Sequence, residues 1–397
     1  IEKLHIQNAF TRAVFFDKTI DKTITEINTR SLNWAKLYPF STATDTIGSK
    51  SSPLKQRIDD IKEKIERYTR ENLTNWAMFA EWAVHYEKSI GWNILNGDVI
   101  DLGDGYLSEV VEKNTAPPAA GLYAFYDFLQ GLGIDLVYVQ CPHKITPDDA
   151  VSGIADFSNE NADDLLSALS VKQIPYLDLR ENIREENLDH HGLFYKTDHH
   201  WKAETGLWAS AVLMNYLNER HGFSFDARGP EHYLYTTYKD WFLGSLGKKV
   251  TLAQTQAEDF TLISPKFDTD FSVTIPELNL DARGNFDILI DHHKLNKKDY
   301  YTIDPYGAYV YGDRQVITVH NNLVRDGRKI LLIKDSFARV VAPFLSTEVE
   351  ELHILDLRHF NGSARAYIEK HRPDIVVVLF NPSTINYTEH KKMFDFR

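Results

Sequence analysis

The residues with the clearest chemical potential form one string near the middle of the chain, Thr197-Asp198-His199-His200-Trp201. A histidine that takes a proton from a hydroxyl needs an acceptor on its other ring nitrogen, which fixes its tautomer and orientation. In an extended segment side chains alternate, so Asp198 and His200 would point to one side and His199 to the other. The spacing therefore predicts an Asp-His general-base pair, whose nucleophile must come from elsewhere.

The same string has a purely structural interpretation. An apolar helical run follows it and continues to Leu217, and an aspartate just before a helix is a good N-cap residue. In that case Asp198 would cap the helix and both histidines would be surface polar residues. From the string alone, the two interpretations stay open.

A serine at the end of a buried strand is the candidate nucleophile. Residues 330–333 form an apolar strand, and Ser336 follows it where a helix begins. Reactive groups in open parallel sheets lie just beyond the carboxyl ends of the strands, and a helix N-terminus suits a developing oxyanion. Asn381 holds the same place after the strand 374–380, so its amide is a candidate donor to that oxyanion. The alternative for Ser336 is an N-cap, which Asp335 would also suit.

Composition restricts the classes of function. The chain has 397 residues, 43% of them hydrophobic and 25% charged, which is typical of a globular protein with a substantial core. Its net charge of -13, with scattered basic residues, argues against nucleic-acid binding. No apolar run approaches the roughly 20 residues of a membrane span. The single cysteine, Cys141, rules out an intramolecular disulfide framework and leaves the redox compartment open.

The first residue and the aromatic content each lead to a separate expectation. The sequence begins at Ile1 and not at a methionine, so we expect that a signal peptide or anchor preceded it and that the protein is extracytoplasmic, secreted or surface-anchored. The aromatic content of 12% suits a surface that faces sugars.

The order of patterned segments predicts an α/β fold. Apolar strands that alternate with helices indicate βαβ units and a parallel sheet flanked by helices. Residues 225–328 instead form short, alternating, tyrosine- and threonine-rich segments, which predict a mostly β insertion. The five strands expected in one parallel sheet are residues 134–140, 174–179, 330–333, 352–355 and 374–379.

This pattern divides the chain into four regions. Residues 1–95 are predicted to be an arm, up to about residue 50, and helices over residues 53–88 that pack on the main domain. Residues 96–224 and 329–397 would be the two parts of the α/β domain. The β-rich insertion, 225–328, would lie between them.

Taken together, these blocks resemble a known superfamily. The chain is similar to the SGNH hydrolases, in which Ser, Gly, Asn and His blocks follow successive strands, but its Asp/His block precedes its serine block. That circular permutation resembles the alginate O-acetyltransferases, and the string 197–201 resembles the motif that names the bacterial DHHW proteins. The resemblance covers roughly residues 99–381. The sequence departs from the family pattern at Lys334, where the serine block normally carries a small residue.

The resemblance implies an SGNH-type serine esterase or O-acetyltransferase acting on acetylated carbohydrate or cell-surface polysaccharide. Ser336 would be the nucleophile, His200 the general base and Asp198 its orienting partner. Asn381 and Gly362 would form the oxyanion hole. No cofactor and no metal are expected. The side chains selected for substrate contact are Trp201, Tyr195, Lys144 and Arg339.

Two functions of other classes stay open. Asp-His-His strings occur at residues 189–191, 198–200 and 291–293, and such residues suit divalent metals. The third string follows an expected strand, 286–290, and so resembles the DHH phosphoesterases, although no upstream strand ends in the Asp-x-Asp pair of that family. The other alternative is a polysaccharide-binding or assembly protein that keeps the fold without catalysis, because fold does not imply function.

Overall fold

An eight-stranded mixed sheet forms the centre of this computed structural model. The structure describes residues 94–95, 99–114, 118–149, 155–385 and 391–397, all within one compact unit, Thr74–Arg397. The predicted arm and the helices predicted over residues 53–88 lie outside the described residues. Within the described part of the chain, no helix is both long enough and apolar enough to cross a lipid bilayer.

The elements are numbered in chain order. The strands are β1 Ile94–Leu95, β2 Val99–Asp101, β3 Leu107–Ser108, β4 Asp135–Gln140, β5 Tyr176–Asp178, β6 Tyr233–Phe242, β7 Glu258–Pro265, β8 Phe271–Ile275, β9 Leu280–Gly284, β10 Val316–Asn321, β11 Lys329–Lys334, β12 Glu351–Leu355 and β13 Ile375–Phe380. The α-helices are α1 Ala119–Leu132, α2 Ser158–Val171, α3 Leu179–Glu185, α4 Ala203–His221, α5 Ser245–Val250, α6 Ala342–Leu345 and α7 Ala364–His371. Short 3-10 helices occupy His191–Leu193, Pro230–His232, Pro276–Leu278, Phe286–Leu289, His292–Lys294, Pro305–Ala308, Ser336–Val340, Pro382–Ile385 and Lys391–Phe394.

The main sheet has the strand order β5-β4-β13-β11-β12-β10-β8-β9. Its first five strands pair in parallel and are the five strands expected from the sequence. The last three pair antiparallel. The fold is therefore mixed α/β. The predicted parallel sheet is one part of a larger mixed sheet, because three strands of the segment 225–328 extend it.

The parallel strands are rich in buried apolar residues because both faces of the sheet are covered. In β11, Ile330 and Leu332 face a core cluster that includes apolar residues of α4 and α6. The alternate residues Leu331 and Ile333 face a second cluster, with side chains of α1, α2 and α7. The alternation of side chains along a strand thus divides the core into two layers.

The segment 225–328 contributes to two sheets. Its strands β6 and β7 form a separate antiparallel ribbon, while β8, β9 and β10 join the main sheet. Its status as a domain of its own stays a prediction. The strand expected over residues 286–290 is wrong, since Phe286–Leu289 is a 3-10 helix. Phe286 and Leu289 are both buried, and residues three apart share a face of a 3-10 helix.

Helix α4 lies against the 3-10 helix Ser336–Val340 at a glycine. A β-carbon added to Gly206 would lie 2.4 Å from the carbonyl oxygen of Val340 and 2.4 Å from its Cγ2. Such distances are far inside van der Waals contact, so α4 can approach the segment that carries Ser336 only because residue 206 has no side chain.

We expect Gly206→Ala to lower the free energy of unfolding by about 1–3 kcal/mol, because the added methyl group forces α4 away from Val340. Urea unfolding followed by circular dichroism measures this change. Gly131→Ala is the matched control, since Gly131 is exposed in α1 with nothing within 4 Å of an added β-carbon. That variant should be unchanged or more stable by up to about 1 kcal/mol. Equal effects of both substitutions would contradict the close approach.

Candidate active site

Asp198, His200 and Ser336 form a continuous chain of hydrogen bonds. His200 Nδ1 lies 2.5 Å from Asp198 Oδ1, and His200 Nε2 lies 2.7 Å from Ser336 Oγ. All three residues are buried, with 4% to 7% of their surface exposed. This is the geometry in which an imidazole, oriented by a carboxylate, can take the proton of a serine hydroxyl.

The carboxylate of Asp198 is held at both oxygens. Oδ1 accepts from the backbone N–H of His200 at 2.9 Å, and Oδ2 accepts from the backbone N–H of Ser245 at 2.5 Å. Burial alone would raise the pKa of Asp198, but the neighbouring His200 and His199 rings and these hydrogen bonds lower it well below its usual range. Asp198 is therefore ionised wherever His200 is to act as a base.

The segment that carries Asp198 is a closed loop and not an extended strand. Phe194 and Trp201 form an isolated antiparallel bridge, and Tyr195 N donates to the His200 carbonyl at 3.1 Å. The residues between them bend tightly, so the alternation of side chains expected for an extended segment does not apply. Asp198 also does not cap α4, whose N-cap residue is Lys202.

His199 consequently does not point away from the pair, as the sequence had predicted. Its ring centroid lies 3.9 Å from that of His200, and its Nδ1 lies 3.1 Å from Ser245 Oγ and 3.4 Å from Asp198 Oδ1. Burial, followed by the proximity of His200, lowers the pKa of His199 to about 3. His199 is therefore neutral at neutral pH and lies beside the hydrogen-bonded chain, in which His200 contacts Ser336.

The loops after β11 and β13 are joined through Asp335. Its Oδ1 accepts from Phe337 N at 2.9 Å, and its Oδ2 accepts from Asn381 N at 2.6 Å. Asp335 is therefore the N-cap of the 3-10 helix, which leaves the Ser336 hydroxyl to His200. Asn381 is brought beside the serine loop, and its Oδ1 accepts from Ser383 N at 3.2 Å. The donation of its amide to an oxyanion stays a prediction.

Gly362 and Lys334 are the other two residues that the sequence analysis related to the oxyanion hole. Gly362 is exposed in the loop between β12 and α7, where an added β-carbon would meet the Phe360 ring at 2.6 Å. Its role as an oxyanion donor likewise stays a prediction. Lys334 turns away from the site, because its fully buried ammonium group pairs with Asp313 at 2.7 Å and Asp356 at 3.3 Å.

Two aromatic residues selected for substrate contact belong to the core. Trp201 is 0% exposed, and its Nε1 donates to the Phe337 carbonyl at 2.9 Å. Tyr195 is 2% exposed and packs edge-on against Phe242. Their predicted contact with substrate is corrected, because neither ring can be reached from solvent. Trp201 instead fixes the backbone one residue beyond Ser336.

Lys144, the third residue selected for substrate contact, binds backbone carbonyls of the loop that carries Asp198. Its buried ammonium group donates to the carbonyls of Leu107 at 2.6 Å and Tyr195 at 2.7 Å, and also to that of Asp198. Burial lowers the pKa of Lys144 to about 8, so it is still a cation at neutral pH. Lys144 follows β4, and it therefore fastens the loop to the carboxyl end of the sheet instead of binding substrate.

Arg339 is also engaged inside the protein. Its guanidinium donates to both carboxylate oxygens of Asp313 and to Asp304 Oδ2 at 3.2 Å. Burial would raise the pKa of Asp313, but Lys334 and Arg339 outweigh it and hold that pKa far below its usual range. These ion pairs anchor the end of the serine segment. Contact of Arg339 with substrate stays a prediction.

Four residues of the segment 225–328 complete the site, and sequence reasoning missed their roles. An added β-carbon at Gly244 would lie 2.3 Å from the Asp198 Cβ, so the absence of a side chain there lets Ser245 reach the carboxylate. Glu258 accepts from the backbone N–H of Thr197 at 2.7 Å. The Tyr306 ring stacks on His200 at 4.3 Å between centroids. For the contact between Ser245 and Asp198, the only sequence signal was a glycine, Gly244, before a helix.

The described residues contain two groups with three metal-ligand atoms within 4.8 Å of one another. The first is the Asp198, His199 and His200 cluster, in which Asp198 and His200 already hydrogen-bond to each other. The second joins Asp313 and Asp356 with His359, but Lys334 and Arg358 supply its positive charge. The strings at residues 189–191 and 291–293 form no such group in the described part of the chain.

Comparison with known proteins gives the family. A family model described as DHHW protein matches residues 134–355, more than half of the chain, so the chain belongs to the DHHW family. The predicted resemblance to the DHHW proteins is thereby confirmed. No curated protein sequence matches the chain.

Solved structures with a similar fold include two bacterial proteins. Bacillus cereus PatB1 with a sulfonyl adduct aligns with a TM-score of 0.60 at 19% identity, over 75% of this chain and 98% of PatB1. A DHHW family protein from Eubacterium siraeum aligns with a TM-score of 0.55 at 16% identity, over 75% of this chain and 95% of its own. At these identities the similarity describes the fold.

We expect Lys144→Met to destabilise the protein by about 2–4 kcal/mol, because it leaves three buried carbonyls without their donor. Urea unfolding measures the loss. The control is Lys196→Met, two residues before Asp198, because Lys196 is exposed and bonds only one described carbonyl, that of Asp104 at 2.8 Å. Its effect should stay below about 1 kcal/mol. A neutral Lys144→Met variant would show that the ammonium group does not hold the loop.

Proposed function

We propose that this protein is a serine esterase or O-acetyltransferase of the SGNH type, with Ser336 as nucleophile, His200 as general base and Asp198 as orienting carboxylate. The observation that carries the proposal is the buried hydrogen-bonded chain from Asp198 through His200 to Ser336. A core packing role alone would not require three polar groups aligned in this order away from water, since burying such groups costs free energy.

The proposed reaction has two steps. His200 Nε2 takes the Ser336 Oγ proton as Oγ attacks the carbonyl carbon of an acetyl ester, and the oxyanion forms beside the Ser336 backbone N–H and Asn381. His200 then gives its proton to the departing alcohol, which leaves Ser336 acetylated. In the second step His200 takes a proton from water or a sugar hydroxyl, whose oxygen attacks the acyl carbon. The bond from that carbon to Ser336 Oγ then breaks, and His200 returns the proton to Oγ.

The substrate class follows from the resemblance of the motifs to the alginate O-acetyltransferases. We propose that the acyl group is acetyl and that its carrier or acceptor is a carbohydrate, outside the cytoplasm. The sulfonyl adduct named for PatB1 supports a nucleophilic centre in a protein of the same fold. For this chain, the equivalent centre would be Ser336.

The metal phosphoesterase alternative has less support in the structure. The string that suggested it, residues 291–293, lies on an exposed turn where Asp291 Oδ1 accepts from the His293 backbone N–H at 3.1 Å. The strand expected before it is a 3-10 helix. A binding protein without catalysis would not need a serine and a histidine aligned by a hydrogen bond.

We expect Ser336→Ala and His200→Ala each to lower the turnover of a chromogenic acetyl ester by on the order of 10⁴-fold or more. The double variant should be hardly slower than either single one, because the two residues act as one unit. Asp198→Asn should lower turnover by on the order of a thousandfold, since the amide stabilises the wrong tautomer of His200.

The controls separate this mechanism from metal catalysis. A chelator should leave the wild type unchanged. Activity that survives Ser336→Ala and ends with metal removal would favour the phosphoesterase instead, with Asp291, His292 and His293 as the next residues to change. A wild type that turns over no acetyl ester but binds polysaccharide would identify a binding protein.

A further inference from the structure

Three partly exposed aromatic rings and a lysine form a cluster that we call the aromatic platform, and two of the rings belong to β6. The rings of Tyr238 and Trp241 lie 5.5 Å apart between centroids. Lys298 Nζ lies 5.9 Å from the Trp241 ring centroid and 5.3 Å from that of Tyr300. Lys298 is exposed and the three rings are partly exposed, so one flexible side chain shields these ring faces from solvent.

A β-bulge brings the two rings of β6 together. Side chains three residues apart on a regular strand point to opposite faces, so Tyr238 and Trp241 would not meet. The register between β6 and β7 shifts between Tyr238 and Phe242, and Asp240 has a φ of 48°. Bulges turn side chains to new directions and are frequent next to active sites.

The bulge is held in its unfavourable conformation by two contacts. The backbone N–H of Asp240 donates to Asp259 Oδ1 at 3.0 Å, and Tyr300 Oη donates to the Asp240 carbonyl at 2.8 Å. A left-handed φ at a residue other than glycine persists only when its surroundings impose it. The strained backbone at Asp240 therefore keeps the Trp241 ring beside the Tyr238 ring.

Two chain segments connect the platform to the triad. Trp241 is four residues from Ser245, whose backbone N–H binds Asp198, so their α-carbons are at most about 14 Å apart. Tyr300 is six residues from Tyr306, whose ring lies 4.3 Å from the His200 ring. The platform and the triad thus share two of their supporting segments.

We propose that Tyr238, Trp241, Tyr300 and Lys298 bind the sugar units next to the unit that carries or receives the acetyl group. This inference rests on the proposed function. Sugar rings present apolar C–H faces that pack on aromatic faces, while their hydroxyls need donors at the edge, which the Lys298 ammonium group supplies.

The test measures sugar binding apart from acetyl chemistry. In a Ser336→Ala background, which cannot turn over an ester, binding of O-acetylated xylo-, manno- and chito-oligosaccharides is followed by isothermal titration calorimetry. Adding Trp241→Ala should weaken binding of the preferred oligosaccharide by about tenfold, since stacking on one aromatic ring is lost. Tyr126→Ala, a partly buried aromatic on α1 against the other face of the sheet, is the control and should leave binding unchanged.

Kinetics in the active protein gives a second readout. Trp241→Ala alone should raise KM for that oligosaccharide by a similar factor while leaving kcat/KM for p-nitrophenyl acetate unchanged, because the small ester does not reach the platform. Circular dichroism checks that the variant is folded.

The outcomes distinguish the two proposals. Oligosaccharide binding that depends on Trp241, in a wild type without acetyl-ester turnover, would keep the platform and overturn the proposed function. No binding of any of the three sugars, or equal binding by the Trp241→Ala and control variants, would overturn the platform even if ester turnover persists. A changed oligomeric state in Trp241→Ala with unaltered sugar binding would likewise overturn it and point to a contact between copies.

Discussion

The buried carboxylate of Asp198 is the group on which the geometry of the site depends. A carboxylate removed from water is costly unless its oxygens are hydrogen-bonded, and Asp198 meets this need with the backbone and ring of His200 and the backbone of Ser245. The same contacts orient the His200 ring so that its second nitrogen meets Ser336. The stabilisation of one buried charge therefore also positions His200, the proposed base, against Ser336, the proposed nucleophile.

Residues from distant parts of the chain are needed to hold that carboxylate. Lys144 extends from the end of β4 to the loop carbonyls, and Glu258 at the start of β7 binds the backbone at Thr197. Trp201 donates to the Phe337 carbonyl and so joins the loop that carries Asp198 to the segment that carries Ser336. The predicted substrate contacts of Trp201 and Lys144 were wrong because burial made both residues part of this support.

The sequence predicted the parallel strands of the sheet well, because apolar runs of four to seven residues separated by helices leave few alternatives. It also predicted that Ser336 would lie near Asp198 and His200, and their hydrogen bonds confirm that proximity, while their catalytic roles stay a prediction. Ser336 could be placed because polar groups after buried strands lie at one edge of a parallel sheet. The direction of His199 could not be predicted, because the tight loop is imposed by the Phe194–Trp201 bridge and not by local alternation. The roles of Gly244 and Ser245 also could not be predicted from local sequence. The hydrogen bond from Ser245 to Asp198 joins residues 47 apart, and a glycine before a short helix is compatible with many structures.

The central claim is that His200 activates Ser336, and covalent labelling tests it without knowledge of the natural substrate. Treatment with phenylmethylsulfonyl fluoride, followed by peptide mass spectrometry, should place one sulfonyl group on Ser336, and His200→Ala should slow that labelling by about a hundredfold or more. Labelling of another residue, or an unchanged rate in the His200→Ala variant, would contradict the claim.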